Sequence, residues 1–153
     1  MYPRLIPNNN GHIYIRVSDM KNGSVCTSNL QYVPEDIYPS ISRYIINKED
    51  VYITVAGTIG KVGKIPAELD GANLTENADR IIPIKTNQDW LIHILSSNII
   101  QNQIQEYITK VSQPKLAILR IQKLMIPVPP LAEQKRIVKK IEELLPYCYK
   151  LKE

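Results

Sequence analysis

The apolar positions of this chain change their period part-way along it. Residues 12–17, His-Ile-Tyr-Ile-Arg-Val, alternate and are rich in β-branched side chains, which predicts a strand. Asn22-Gly23 follows as a tight hairpin signal. Residues 40–47 mix Ile, Tyr and Arg and are ambiguous. Val51-Tyr52-Ile53-Thr54-Val55 predicts a strand, residues 56–60 a turn, and residues 61–65 a short return strand. Asp70-Gly71-Ala72-Asn73 predicts a loop. Residues 80–84 predict a strand that Pro83 places at a sheet edge or a strand end.

From there the period lengthens. Asp89 can cap a helix over 90–96 whose buried side is Leu91, Ile92, Ile94 and Leu95. Residues 98–101 are spaced like a capping box for a second helix, over 99–109, with Ile100, Ile104, Tyr107 and Ile108 as its stripe. The apolar runs 116–121 and 124–128 predict strands, or a strand and a short turn. Pro127, Pro129 and Pro130 end the sheet, and the last two can open a helix, whose first turn does not need their N–H groups. Beyond Leu131, the positions Ile137, Val138, Ile141, Leu144 and Leu145 fall on one face. Lys135, Arg136, Lys139, Lys140, Glu142 and Glu143 cover the rest. Pro146 predicts a stop or kink near Leu145, so the arm from 131 to 145 spans about 22 Å at the α-helical rise. The pattern predicts an α+β chain: a β-rich domain with a few short helices over 1–128, then a helical arm over 129–153.

Composition narrows the class. At 153 residues, 44% hydrophobic and 22% charged, the chain is ordinary globular material with room for one domain and an appendage. Nine Tyr and no Phe suit half-buried strands and wet contact surfaces. No run of eighteen apolar residues or signal-peptide core exists, which predicts no membrane span. Cys26 and Cys148 lack metal or redox spacing and read as free thiols in a reducing cytoplasm. Charge is uneven: residues 1–110 carry ten Lys+Arg against eleven Asp+Glu, net −1, and residues 111–153 carry nine against four, net +5. A basic end is compatible with nucleic acid and equally with a solvated helix face.

Several chemistries fail on spacing. Gly57-Thr58-Ile59-Gly60-Lys61 has two residues between its glycines where a phosphate-binding P-loop has four, and Val62 follows the lysine where Ser or Thr is required. The same Gly-x-x-Gly is a backbone clamp in KH domains, where it joins two helices; here strands flank it, and a hairpin turn explains it as well. Glu133-Gln134-Lys135 has a nuclease-like Glu-x-Lys spacing but no carboxylate partner nearby to hold an ion, and Glu133 in a first helical turn is favoured by the helix dipole alone. His12 and His93 are isolated from other ligand types, so no metal site is expected. No nucleophile elbow is present, and no Asn-Pro-Pro-Tyr or Asp-Pro-Pro-Tyr of an amino-methyltransferase. By elimination the chain reads as one that binds rather than catalyses, with no catalytic residue assigned.

The ordered set of Gly57–Lys61, Asn73–Asn77, a helix pair over 90–109, Gln113-Pro114 and Pro129-Pro130-Leu131-Ala132-Glu133-Gln134-Lys135-Arg136-Ile137-Val138 resembles the DNA specificity subunits of type I restriction–modification systems. The resemblance runs from about residue 12 to 145, and the proline-led junction is its most specific part. It implies a small target recognition domain followed by the start of a coiled-coil spacer. A complete subunit of that family carries two recognition domains and two helical regions, and each domain reads half of a bipartite double-stranded site. The subunit is itself non-catalytic. It docks methyltransferase subunits, which bind S-adenosylmethionine, and restriction–translocase subunits join them. S-adenosylmethionine, Mg and ATP therefore belong to partners, and no cofactor is expected on this chain. The sequence departs from the pattern in showing one recognition unit, a shortened segment before the first strand, and Pro146 inside the arm. A truncated domain or a half-length subunit acting as a homodimer through the arm would account for the first.

On that reading the contacts divide into two layers. Gly57 and Gly60 allow close backbone approach, and Thr58, Lys61 and Lys64 can reach phosphate. Asn73, Thr75, Glu76, Asn77 and Arg80 have the chemistry for base edges, with Gln113 and Lys115 flanking a proline that keeps their segment extended. The plain alternative is that Asn73 and Asn77 are turn residues and that Arg80 pairs with Asp79 or Glu76. Ile137, Val138, Ile141, Leu144 and Leu145 would form the partner-facing seam of the arm. A second reading makes the chain an assembly module whose arm docks partners while the head does not read DNA; a third makes Glu133 and Lys135 a cryptic nuclease.

Overall fold

A computed structural model describes residues 3–7, 10–108 and 114–150. The expected α+β architecture is present, organised around two small sheets that share one wall. In the first sheet, β1 (His12–Ile15) lies between β4 (Gln31–Val33), antiparallel to it, and β8 (Ala72–Leu74), parallel to it; β5 (Ile45–Ile46) closes the far edge against β8. In the second, β6 (Val51–Thr54) lies between β7 (Val62–Gly63) and β9 (Ala78–Ile81), antiparallel to both. Between β1 and β4 the chain makes the hairpin β2 (Met20–Lys21) and β3 (Ser24–Val25). Asn22 and Gly23 turn it with φ of 53° and 73°, the positive pair that a two-residue hairpin requires.

β6 is buried at every position. Its pleat sends Val51, Ile53 and Val55 into a core with Trp90, Leu91, Leu95, Ile100 and Ile104, and sends Tyr52 into a second core with Ile15, Met20, Ile46 and Leu69. Burial of Tyr52 pushes its phenol up to about 12, and the hydroxyl is satisfied by donating to the Ser24 carbonyl at 2.9 Å. That bond ties the hairpin to β6. Gly63 completes the tie: a Cβ there would collide with the Gly23 carbonyl and the Tyr52 hydroxyl.

The helices are α1 (Tyr38–Ile41), α2 (Gln88–Ser96), α3 (Asn98–Tyr107), α4 (Ile118–Ile121) and α5 (Leu131–Lys150). Several local expectations change. The cap of α2 is Asn87, whose side chain accepts from Trp90 N at 2.9 Å; Asp89 turns outward to Lys64. No capping box forms at α3, because Gln101 points to other carbonyls. β1 ends at Ile15, before the predicted end at residue 17, because Asp19 captures the Arg16 backbone N–H and guanidinium and winds a 3-10 turn over Val17–Asp19. Residues 72–74 form a strand where a loop was expected: Ala72 and Leu74 face core, which a short polar-looking stretch conceals.

The runs 116–121 and 124–128 do not build strands. Leu116 donates its N–H to the Val55 carbonyl at 2.9 Å, and the Ala117 carbonyl then starts α4. Beyond α4 the segment to Pro130 has no regular structure. Pro130 opens α5 as expected, its carbonyl accepting from Glu133 and Gln134 N–H. Pro146 does not stop α5, which continues to Lys150. A proline removes one helical bond and costs stability, but its fixed φ is helical and need not end the element. Twenty residues give an arm of about 30 Å rather than 22 Å. Cys26 and Cys148 are free, and both are exposed.

The first turns of the arm are seated on the head by a buried amide and an apolar contact. Gln134, 1% exposed, accepts the Asn87 N–H through Oε1 and donates from Nε2 to the Pro129 carbonyl, both at 2.8 Å. Val138, one turn on, enters the Trp90 core. Gln134→Ala would leave the half-buried Asn87 N–H and Pro129 carbonyl without their partner and is expected to cost about 2–4 kcal/mol. The check is a lowered urea midpoint at unchanged m-value; a shift under about 0.5 kcal/mol would place the tie elsewhere.

Candidate nucleic-acid interface

Three segments far apart in sequence meet where β6 ends. The Asn77 carbonyl accepts the Val55 N–H at 2.8 Å and the Ala56 N–H at 3.3 Å, which brings the 75–77 loop beside the glycine turn. Ala56 pairs with Lys115 in a single antiparallel bridge, which brings the proline segment to the same edge. Gly57, Thr58, Lys61 and Lys115 are exposed there, and Glu76 beside them accepts from the Tyr14 hydroxyl at 2.9 Å.

The glycine turn has a defined shape. Gly57 and Gly60 have φ of 74° and 87°, so both positions require the left-handed region that glycine tolerates. Thr54, fully buried, donates its hydroxyl to the Thr58 carbonyl and accepts the Lys61 N–H at 2.9 Å. The Gly60 N–H returns to the Thr54 carbonyl at 2.9 Å. Lys61 therefore leaves from a fixed backbone. Beside it a groove of about 340 Å³ runs between the Asn22-Gly23 hairpin tip and the α2–α3 junction, with Asn22, Lys61 and Ser96 on its walls.

Two of the expected contact residues face inward, and two exposed ones are paired within the fold. Asn73 is 1% exposed in β8, and its Nδ2 donates to the Ile41 and Tyr44 carbonyls at 3.0 and 3.3 Å; it fastens the α1–β5 segment and does not face outward. Thr75 is buried, with its N–H on the Ile15 carbonyl at 3.0 Å. Lys64 forms an ion pair with Asp89 at 2.6 Å. Arg80, two positions down β9 from Ala78, donates to the Ile45 carbonyl at 2.8 Å and so joins the two sheets. Gln113 lies outside the described residues. Sequence reasoning missed Thr54 as the support of the turn. The signal was present: it is the one aliphatic hydroxyl in a buried strand whose other residues are Val, Tyr and Ile.

Glu133 and Lys135 do not form an ion site. The Glu133 carboxylate holds Arg136 in a two-point pair at 2.8 and 2.7 Å, which lowers its pKa, and Gln134 between them is buried. Among the described residues no three His, Cys, Asp or Glu side chains come together as a metal cluster, and no helix is long and apolar enough to cross a membrane.

Loops converge on one edge of the β-rich head, and a helical arm extends from that head. The chain belongs to the family described as "Type I restriction modification DNA specificity domain", whose profile matches residues 4–153. It is 28% identical over 136 residues to the type I restriction enzyme EcoBI specificity subunit of Escherichia coli, an alignment covering 88% of this chain and 28% of that protein. Its fold matches the crystal structure of the HsdS subunit from Thermoanaerobacter tengcongensis with a TM-score of 0.74 at 25% identity, over 94% of this chain and 38% of that one. A second solved chain, from work on complex assembly and conformational transition of the type I R-M system, matches in fold with a TM-score of 0.77 at 24% identity and the same coverage. The chain thus spans well under half the length of these relatives.

Asp79 offers a check on the region behind the loops. Its side chain lines an apolar cavity of about 630 Å³ between β9, α2 and α4, with Oδ2 buried and unpartnered. Desolvation raises its pKa above 3.8, so the fold favours the neutral acid. That stabilisation is fully present below 3.8 and is lost as pH rises through the raised folded value. Asp79→Asn, neutral at every pH, is expected to melt above wild type at pH 7 and level with it near pH 3. A thermal-melt series in pH checks it; a constant difference would assign the effect to packing.

Proposed function

We propose that this chain is a target-reading domain that binds double-stranded DNA through the loop edge at the end of β6 and reads one half of a bipartite site. The observation that carries the reading is the convergence of residues 56–61, 75–77 and 114–116 on that edge, in a chain of this family. Lys61 and Lys115 supply the phosphate layer; Thr58, Glu76 and Asn77 offer base-reading groups. Asn73, Lys64 and Arg80 support the head. The domain does no chemistry itself. Methyltransferase subunits carrying S-adenosylmethionine dock on it, and restriction–translocase subunits join that assembly.

Selection from random duplexes with the methyltransferase partner present is expected to enrich one short motif, with binding that weakens steeply with salt. Selection that ends with no enriched sequence would overturn the reading.

A second role rests on a separate observation. Ile141 is half-buried, and Leu144 and Leu145 are 50% and 37% exposed along α5, continuous with an apolar groove between α2 and α5 lined by Trp90, His93, Ile94, Val128, Ile137 and Ile141. This surface suits a second helix laid alongside α5, from another copy or from another helical region of a longer subunit. Because Gln134 and Val138 belong to the head, removing the whole arm would unfold the domain, so the seam is tested by Ile141→Glu with Leu144→Glu. Light scattering over a concentration series is expected to show self-association in the parent chain and its loss in the variant. A parent that stays monomeric at all concentrations removes the homodimer.

A further inference from the structure

The turn that carries Lys61 is held from beneath by a residue forty positions away. Gln101 on α3 donates through Nε2 to the Gly60 carbonyl at 3.0 Å and to the Leu95 carbonyl at 2.8 Å. Leu95 lies in the last turn of α2, so one amide fastens the turn to both helices. The seat is close-fitting: a Cβ at Gly60 would come within 2.9 Å of Gln101 Oε1 and 3.5 Å of the Ile104 side chain. Thr54 grips the other side of the turn through the Thr58 carbonyl and the Lys61 N–H. The Gln101 amide nitrogen donates within the protein to the turn and to the end of α2, so its effect on a ligand passes through what it holds.

We propose that Gln101, with Thr54, is a positioning residue for DNA binding. The pair hold residues 57–61 in the bound shape before DNA arrives, so that Lys61 meets its phosphate without first ordering a glycine-rich loop. The inference rests on the reading of this turn as a DNA contact and adds a residue that neither touches DNA through its amide nitrogen nor belongs to the loop. Gln101 lies on a helix whose sequence offers no sign of the role, and the α2–α3 pair becomes the platform of the contact rather than a remote part of the core. Lys61 and Gln101 should then act as one unit.

The test is a double-mutant cycle on the full chain, using the duplex enriched by selection and a scrambled duplex as control. Gln101→Met and Lys61→Ala are each expected to weaken binding about tenfold. Lys61→Ala should also lower the slope of log affinity against log salt by about 1. The double variant should bind within about twofold of Lys61→Ala alone, because the lysine through which Gln101 acts is already gone. Amide exchange should rise at Gly60 and Lys61 in Gln101→Met and stay unchanged in β1 and β8, a pattern that general destabilisation would not produce. Wild-type affinity in Gln101→Met, or losses that multiply to about a hundredfold in the double variant, would overturn the proposal. Should Gln101→Met fail to fold, Thr54→Val carries the same cycle from the other side of the turn. A wild-type chain that binds no duplex selectively removes the DNA reading itself; one that binds while the cycle is additive removes only the positioning role.

Discussion

Burial of β6 on both faces is the constraint on which the rest of the structure depends. A four-residue strand with no exposed position must be covered twice, and its pleat decides how. Val51 and Ile53 draw α2 and α3 onto one side, while Tyr52 draws the hairpin and the first sheet onto the other. Two clusters that would each be small for a folded unit thereby share a wall and become one head. The Tyr52 hydroxyl is the polar element in this arrangement, and its bond to Ser24 satisfies the group that burial would otherwise penalise.

The loop edge follows from the same strand. Where β6 ends, its last peptide groups still need partners, and they are met by Asn77, Lys61 and Leu116 from three different segments. Backbone hydrogen bonding at the end of a buried strand thus gathers loops that share no sequence neighbourhood. Side chains carried on that edge are placed by rigid structure rather than by their own loops, which suits recognition of a stiff partner. Thr54 is both the last residue of the strand and the anchor of the turn, so core strand and glycine turn meet in one hydroxyl.

The arm is coupled to the head through Gln134 rather than hinged at the prolines. Asn87 caps α2 with its side chain and gives its backbone N–H to Gln134, so the start of α2 and the start of α5 are fixed together. A force or partner acting on the first turns of α5 acts on the helix that packs against β6. Beyond Ile141 the apolar positions Leu144, Leu145, Tyr147 and Tyr149 are exposed.

The sequence by itself determined the elements whose signals are local. The alternation of 51–55, the Asn22-Gly23 turn, the stripe of α3 and the proline-led start of α5 all follow from periodicity and backbone preference within a few residues. It also carried the family, because the proline-led junction is a contiguous string. Tertiary structure alone decided the rest. Asn73 reads as a loop residue in sequence but is buried in β8, because Ala72 and Leu74 are claimed by a core assembled from distant strands. Arg80 reads as a base-reading cation but lies opposite Tyr52 in the ladder and reaches across to β5. Gln101 shows nothing in its own neighbourhood of the carbonyl it holds forty-one residues away. Local preference is written in adjacent residues; which polar group is consumed inside the fold and which is left for a partner depends on contacts between segments, and those exist only once the chain has closed on itself.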